Sequence, residues 1–596
     1  MVPLLNVDPG MRRALLEHAT DFVRSPLPLI WSDDEAKVLR TQVTSLNCRV
    51  FFLTGASANI IAVENAQFAR MTNSRGLRGI IVDSVLPALL TPFLKEVQKK
   101  YADHQDDFSP DLFLKERGIK NLGDFLAHSA NARTVFNQFL LLGTTDPDYM
   151  ARLAGSKKIE GFLKRWTGKI YGHNSILRMG AIYLCAEKIT INAAKDIENG
   201  RHAGYAELST RAVDMDGSGV YPIWNEFELL GFDPQPIKAV SEFCFDRYRA
   251  WFEGGKEAAL PKFFQKTYGS FLVSEGVTQA NIIYGAVSEA ADVLGNLLPN
   301  HTLTSVGMAV LGEGFQTLIK HLRLSSVPES IALAELILAE SHKTGSNQFA
   351  RHIKLTETDI RGWQYLSTKG FIGMPPNKPI LLQGMDGRAD TALLLSVLKT
   401  VDGYEACESV QEVAELLFGG GREAFDKVSS PFELCISITF KGVQSWRSWR
   451  DTQRMTKSSH ERTLVTPDLG FYVYDKPAPP ALAADFLEVA MQSKQLYRKM
   501  QSEGAPPILL QLGLPLGWEV GFYFGGNPKQ TEFCGFQRTK PEAHHDVRQF
   551  FLGTELLLRE KYEWWPTITR AHMVQAYVFA RGSEVPLAKF FDQTSK

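Results

Sequence analysis

Two blocks of this chain carry related residues at a constant spacing, and that repetition constrains the fold more than any single segment. The block HNSILRMGAIYLCAEKITINAAKDIENGRH (His173–His202) has a counterpart in VSSPFELCISITFKGVQSWRSWRDTQRMTK (Val428–Lys457). Ser175 matches Ser430 and Asn199 matches Arg454, both 255 positions on. Leu298-Pro299 matches Leu514-Pro515 at an offset of 216, and Arg323 matches Arg538 at 215. Consistent offsets with one net deletion describe two diverged copies joined near residues 340–380.

Composition narrows the function classes. The chain has 596 residues, 44% hydrophobic and 22% charged. That is room for roughly four domain-sized units and large apolar cores. A formal net charge of −1 excludes an overall basic field for nucleic acid, yet leaves room for a local pocket around one phosphate. The six cysteines lie far apart with no C-x-x-C pair, which suits a reduced compartment rather than a disulfide framework. The N-terminus lacks the pattern of a secretory leader. The most apolar stretch, Gly79–Leu94, contains Asp83 and two prolines and falls short of the ~18 residues of a membrane span. The expectation is a soluble, cytoplasmic protein.

Local patterns predict an amphipathic helix over Asp8–Arg24 and a strand at RVFFLTG (Arg49–Gly55). Helical patterns dominate Ala151–Trp251 and return over Leu482–Ser502. FIGMPPNKP (Phe371–Pro379) and DKPAPPA (Asp475–Ala481) are the clearest breaks.

Two constellations carry chemistry. AELSTR places Glu207, Ser209 and Arg211 at i, i+2 and i+4, on one side of the chain if the segment is extended. Such a set suits a ligand with an anionic group and hydrogen-bonding edges. It equally suits a polar rim on a half-buried strand. WRSWRDTQR puts Arg447, Arg450 and Arg454 on one helical stripe with Trp446 and Trp449 beside it. Arginine beside an aromatic face would hold a phosphate and stack a ring; the alternative is a solvated basic face anchored by two core tryptophans. His544 and His545 are adjacent, so they do not form a metal pair, and no zinc signature or nucleophile elbow is present.

The segment from Gly172 to Met215 resembles the flavin-dependent thymidylate synthase family, which shows G-H-x-S and later R-H-R-x-x-S-x-N-E-x-S-x-R-Y. This chain keeps Gly172, His173 and Ser175, then Arg201, Glu207, Ser209 and Arg211. The second block is similar to the divergent repeat of double-length members, whose R-D-x-x-R-H-R helix becomes Arg450, Asp451, Arg454, Met455 and Thr456. Ser429–Glu433 matches the S-p-f-E step. The departures are Asn199 and Gly200 for the first Arg and His, Ala206 and Ala212 for the motif Asn and Tyr, and Arg178 for a Glu. In the second copy Val428 replaces the His, and Arg462, Leu464 and Thr466 replace E-x-S-x-R.

The resemblance implies an α/β (α+β) fold of two diverged repeats, each a small, mostly antiparallel sheet packed with long helices. The division would be an N-terminal helical extension (1–44), a first repeat (45–340), a linker and start of the second repeat (341–380), and a more degenerate second repeat (381–596). It implies a pyrimidine nucleotide such as dUMP as substrate, FAD as cofactor, and NADPH and methylenetetrahydrofolate as co-substrates for reductive C5 methylation. The flavin would carry the chemistry, so no protein nucleophile is needed. Glu207, Ser209, Arg211 and Arg454 would bind substrate, and His173, Ser175, Arg201 and Arg450 would bind cofactor; no catalytic residue or metal ligand is assigned. The losses are complementary, so a composite pocket between copies is expected, with a homodimer imitating the family's tetramer. The alternative is a catalytically degenerate relative retained for nucleotide binding or assembly.

Overall fold

A computed structural model describes residues 8–54, 64, 68, 74–85, 181–200, 203–208, 215, 219–350, 353–362, 366–382, 387–400, 404–421, 432–433, 436–455 and 458–594. The fold is mixed α and β with two small antiparallel sheets. Along the chain the principal helices are α1 (Pro9–Arg24), α2 (Ile191–Ile197), α3 (Gln235–Phe252), α4 (Ala259–Ser274), α5 (Gln279–Leu294), α6 (Gly312–Leu324), α7 (Pro328–Ser341), α8 (Trp446–Gln453), α9 (Pro480–Ser502), α10 (Pro528–Thr539) and α11 (His545–Lys561). The strands are β1 (Val50–Phe52), β2 (Ala181–Thr190), β3 (Ala203–Glu207), β4 (Leu303–Leu311), β5 (Ile380–Leu381), β6 (Ile438–Ser445), β7 (Ser459–Arg462) and β8 (Glu519–Gly526). Among the described residues no helix is long and apolar enough to cross a membrane.

The sheets run β1-β2-β4-β3 and β5-β6-β8-β7, the same antiparallel order twice. A short helix follows the second strand of each, at α2 and α8. The described part of the stretch predicted as mainly helical, Ala151–Trp251, holds α2 and most of α3 but also β2 and β3. AIYLCAEKIT is strand because it packs on both faces. Leu184, Cys185, Ala186 and Ile189 are fully buried, and such a continuous apolar run does not distinguish strand from helix by period.

The chain divides into two units that do not follow chain order. The first holds Met1–Val213, Ser218–Tyr221 and Leu303–Trp363. Its core joins β1, β2 and β4 to α1, α2, α6 and α7 through residues including Val23, Leu184, Met308, Phe315 and Leu333. α1 begins one residue after its expected start, with Asp8 as N-cap accepting from the Gly10 amide at 2.8 Å. A bulge interrupts β2 between Glu187 and Ile189, with Lys188 at φ 54°. There Glu187 meets Arg78 at 2.8 Å, both wholly buried, and accepts from the Leu77 amide at 2.8 Å. Gly76, at φ +67°, makes this possible, since a Cβ would stand 2.3 Å from Glu187 Oε1.

The second unit holds Asp214–Gly217, Pro222–Thr302 and Gln364–Lys596. Helices α3 to α5 therefore fold with the β5–β8 sheet. α3 packs along α9, where Trp251 Nε1 donates to Asp485 at 2.7 Å and Arg247 pairs with Asp485 at 3.3 Å. The two Leu-Pro motifs meet in the same unit, with Pro299 bridged to Pro515. Beside them buried His301 donates from Nδ1 to the Leu512 carbonyl and accepts at Nε2 from Ser241 Oγ, both at 2.9 Å. Burial pushes its pKa down to about 4.

Candidate functional site

Ser445 caps α8, accepting from the Ser448 amide at 3.2 Å. From that fixed start the sequence WRSWRD directs Trp446 and Trp449 inward, both at 0% exposure. Trp449 lies 4.3 Å from Phe522 by ring centroids, and Trp446 is covered by the Arg462 guanidinium at 4.1 Å. The expected stacking surface for a ligand is thus core, consumed by internal partners. Nor is the arginine stripe a solvated face. Arg447 is buried against the end of α5, donating to the Asp292 carbonyl at 2.9 Å and the Ala291 carbonyl at 3.1 Å. Helix carbonyls left without intrahelical partners attract such a cation.

Arg450 and Arg454 occupy the other end of α8. Arg450 is 4% exposed, and Arg454 pairs with Asp451. Arg538 reaches the same turn from α10, donating to the Asp451 carbonyl at 2.6 Å. Three guanidiniums therefore belong to or reach the last turn of α8, beside the Asp451 carboxylate. In the same unit Trp449 Nε1, Gln444 Nε2 and Thr531 Oγ1 are buried without a hydrogen-bond partner. Buried donors of this kind are rare and call for a water, an ion or a ligand oxygen. The guanidinium set fits the phosphate oxygens of a nucleotide or of the FAD implied by the family resemblance. It supplies no open aromatic face for a flavin ring.

In the first unit the 255-residue offset puts Lys195, Glu198 and Glu207 where the second has Arg450, Gln453 and Arg462. Glu207 closes β3, and its Oε2 accepts from Lys195 Nζ at 2.7 Å. Lys195 also pairs with Glu198, and all three side chains are at most 3% exposed. Next to Lys195, Asp196 accepts from Ser325 Oγ at 2.9 Å and Ser330 Oγ at 2.5 Å. Burial, reinforced by Glu198, raises the Tyr205 hydroxyl's pKa beside this cluster. Asn199, where the family has Arg, lies 3.1 Å from His321 Nε2.

Of the expected site residues, Glu207 belongs to the first unit and Arg450 and Arg454 to the second. His173, Ser175, Arg201, Ser209 and Arg211 lie outside the described residues. Lys195 and Arg538 are the additions that sequence reasoning missed. Lys195-Asp196 repeats Arg450-Asp451 at the same offset, a signal present in the sequence but hidden by the Lys-for-Arg exchange. Among the described residues no cluster of His, Cys, Asp or Glu is arranged to hold a metal ion.

No family model matches the chain. It is similar to a UPF0159 protein from Chlamydia muridarum, 23% identical over 424 residues, covering 66% of this chain and 78% of that protein. It is also similar to a UPF0159 protein from Thermoplasma acidophilum, 24% identical over 433 residues, covering 66% and 84%. Among solved structures, the UMP/dUMP methylase PolB from Streptomyces cacaoi bound with 5-Br UMP matches at 15% identity and a TM-score of 0.26, covering 33% of this chain and 96% of that one. The same methylase with 5-Br dUMP matches at 16% identity and a TM-score of 0.26, covering 33% and 97%.

Proposed function

We propose that the chain is a pyrimidine-nucleotide modifying enzyme of the flavin-dependent thymidylate synthase type, built from two tandem repeats. Its ligand would be dUMP or a close relative. The observation that carries the reading is the convergence of Arg450, Arg454 and Arg538 on the last turn of α8. This is the helix whose R-D-x-x-R pattern supports the resemblance. Arg450 and Arg454 would hold anionic oxygens of the nucleotide or of FAD, and Arg538 would fix the turn through the Asp451 carbonyl. Glu207, Ser209 and Arg211 remain proposed substrate contacts, and His173, Ser175 and Arg201 proposed cofactor contacts. Bound FAD would supply the redox chemistry of reductive one-carbon transfer, with NADPH and methylenetetrahydrofolate as co-substrates. A homodimer is part of the same proposal.

One observation favours a second reading, nucleotide binding without flavin: Trp446 and Trp449 are packed away and leave no ring face at α8. A titration with FAD, read by flavin fluorescence with and without dUMP, separates the two. Saturable flavin binding perturbed by dUMP supports the enzyme. Binding of dUMP without flavin supports the second reading, and binding of neither overturns both.

A further inference from the structure

Glu519 opens β8 at 3% exposure, and among the described residues no hydrogen bond or ion pair reaches its carboxyl. Gly470, at φ +127°, lies so close that a Cβ there would stand 2.5 Å from Glu519 Oε2. The first sheet shows that the fold does not need an acid here. Ser445 pairs with Glu519 across β6 and β8, whereas the equivalent Thr190 pairs with Leu303 across β2 and β4. A buried acid has replaced a leucine in one copy.

The charge facing Glu519 is a second acid, Asp546 of α11, 4% exposed, which accepts from Ser448 Oγ of α8 at 3.1 Å. The neighbouring charges have partners elsewhere. His545 Nε2 is 3.0 Å from Asp475, Arg447 pairs with Asp292 of α5, and Lys476 pairs with Glu289 of α5 at 2.7 Å. His544 lies 3.9 Å from Asp546, and its Nδ1 accepts from the Asp546 amide at 3.2 Å. Tyr472 in the covering loop is buried among these acids.

The flanks of the loop are anchored, Asp468 by Arg498, Tyr474 and Lys476 by Glu289, and Asp475 by His545, whereas the turn between them is held mainly by backbone bonds and ring packing. The Glu519 amide donates to the Gly470 carbonyl at 3.0 Å, and the Tyr472 amide donates to the Gly517 carbonyl at 2.8 Å. Phe471 bridges to Trp518.

We propose that Glu519 is a proton-operated latch for the turn at Gly470, between the anchors at Asp468 and Tyr474. As a neutral acid it stays covered by Gly470; ionised beside Asp546 with no cation of its own, it needs fuller hydration, and the turn lifts. Burial first, and Asp546 second, push the Glu519 pKa up to about 8. The folded pKa is raised, so the stabilisation is complete below the ordinary value of 4.5 and is lost as pH rises through about 8.

The test is hydrogen–deuterium exchange of peptides spanning 466–476 in the full chain, from pH 6.5 to 9, corrected for intrinsic exchange. Protection should fall about tenfold between pH 7 and 9 in the wild type, following single-proton linkage. Glu519→Gln should abolish the pH dependence, and Asp546→Asn should move the transition to lower pH. Glu519→Leu, the residue of the first copy, should match Glu519→Gln. A wild-type loop whose protection is constant across this range overturns the proposal, as does a Glu519→Gln loop that keeps the transition.

Discussion

Leu298 and Leu514 accept backbone hydrogen bonds reciprocally. The Leu516 amide donates to the Leu298 carbonyl and the Asn300 amide to the Leu514 carbonyl, both at 2.9 Å. Each donor lies two residues beyond the leucine of its own Leu-Pro motif, so the pair is symmetric about a local dyad, as an isologous contact between two like chains would be. The matched motifs recognised at an offset of 216 are thus partners as well as counterparts. The asymmetry lies in the next residue. Asn300 Oδ1 accepts from Trp446 Nε1 at 2.9 Å, and its amide nitrogen donates to the Gln511 carbonyl at 3.3 Å.

Asn300→Ala would leave the Trp446 indole N–H and the Gln511 carbonyl buried without those partners. The expected cost is about 3 kcal/mol, from two lost bonds and their desolvated remnants. Chemical denaturation followed by tryptophan fluorescence measures it, and a loss under about 0.5 kcal/mol would contradict the asymmetric lock.

Lys195 serves two buried carboxylates, so Lys195→Met should destabilise the protein by about 3–5 kcal/mol, the usual result of orphaning buried charge. Adding Glu207→Met should recover part of that loss. Additive effects in this double-mutant cycle would show that the Lys195–Glu207 contact is not energetically coupled.

Arg454→Ala should weaken dUMP binding about 10–100-fold and flatten its salt dependence, because one charge-assisted contact to an anionic group is removed. Calorimetric titration at two ionic strengths reads both quantities. Unchanged affinity would move the anion site away from α8.

His301 predicts acid sensitivity. Its folded pKa of about 4 lies below the ordinary 6.5, so the unfolded chain takes up the proton first as pH falls. Stability should be complete above pH 6.5 and decline toward pH 4 by up to about 3 kcal/mol. His301→Gln should flatten that slope in urea denaturation series. A variant as acid-sensitive as the wild type would assign the effect to other groups.

Much of the α+β architecture was legible because its signals are local. Asp8 followed by Pro9 announces α1, and the Pro-rich Asp475–Ala481 break runs into the start of α9 at Pro480. β2 was not, since a strand buried on both faces loses the alternation that betrays a half-buried one. At the site, the helix carrying Arg450 and Arg454 could be read from its spacing. The inward turn of Trp446 and Trp449 could not, because it depends on Phe522 and Arg462 from distant strands. Arg447 illustrates the same limit. Its stripe position is visible in sequence, but its partner is the end of a helix more than 150 residues earlier.

The placement of α3 to α5 with the β5–β8 sheet has a consequence for synthesis on the ribosome. These helices emerge by residue 294, whereas the last strand of the sheet they join is complete only at Gly526. At about 5–20 residues per second, the delay is roughly 10–50 s. Through that interval Phe264, Leu272, Ile282 and Leu294, all fully buried in the finished protein, lack their final cover. The nascent chain is therefore a natural client for holding chaperones, and a stalled ribosome in this window would present a sticky, half-made product.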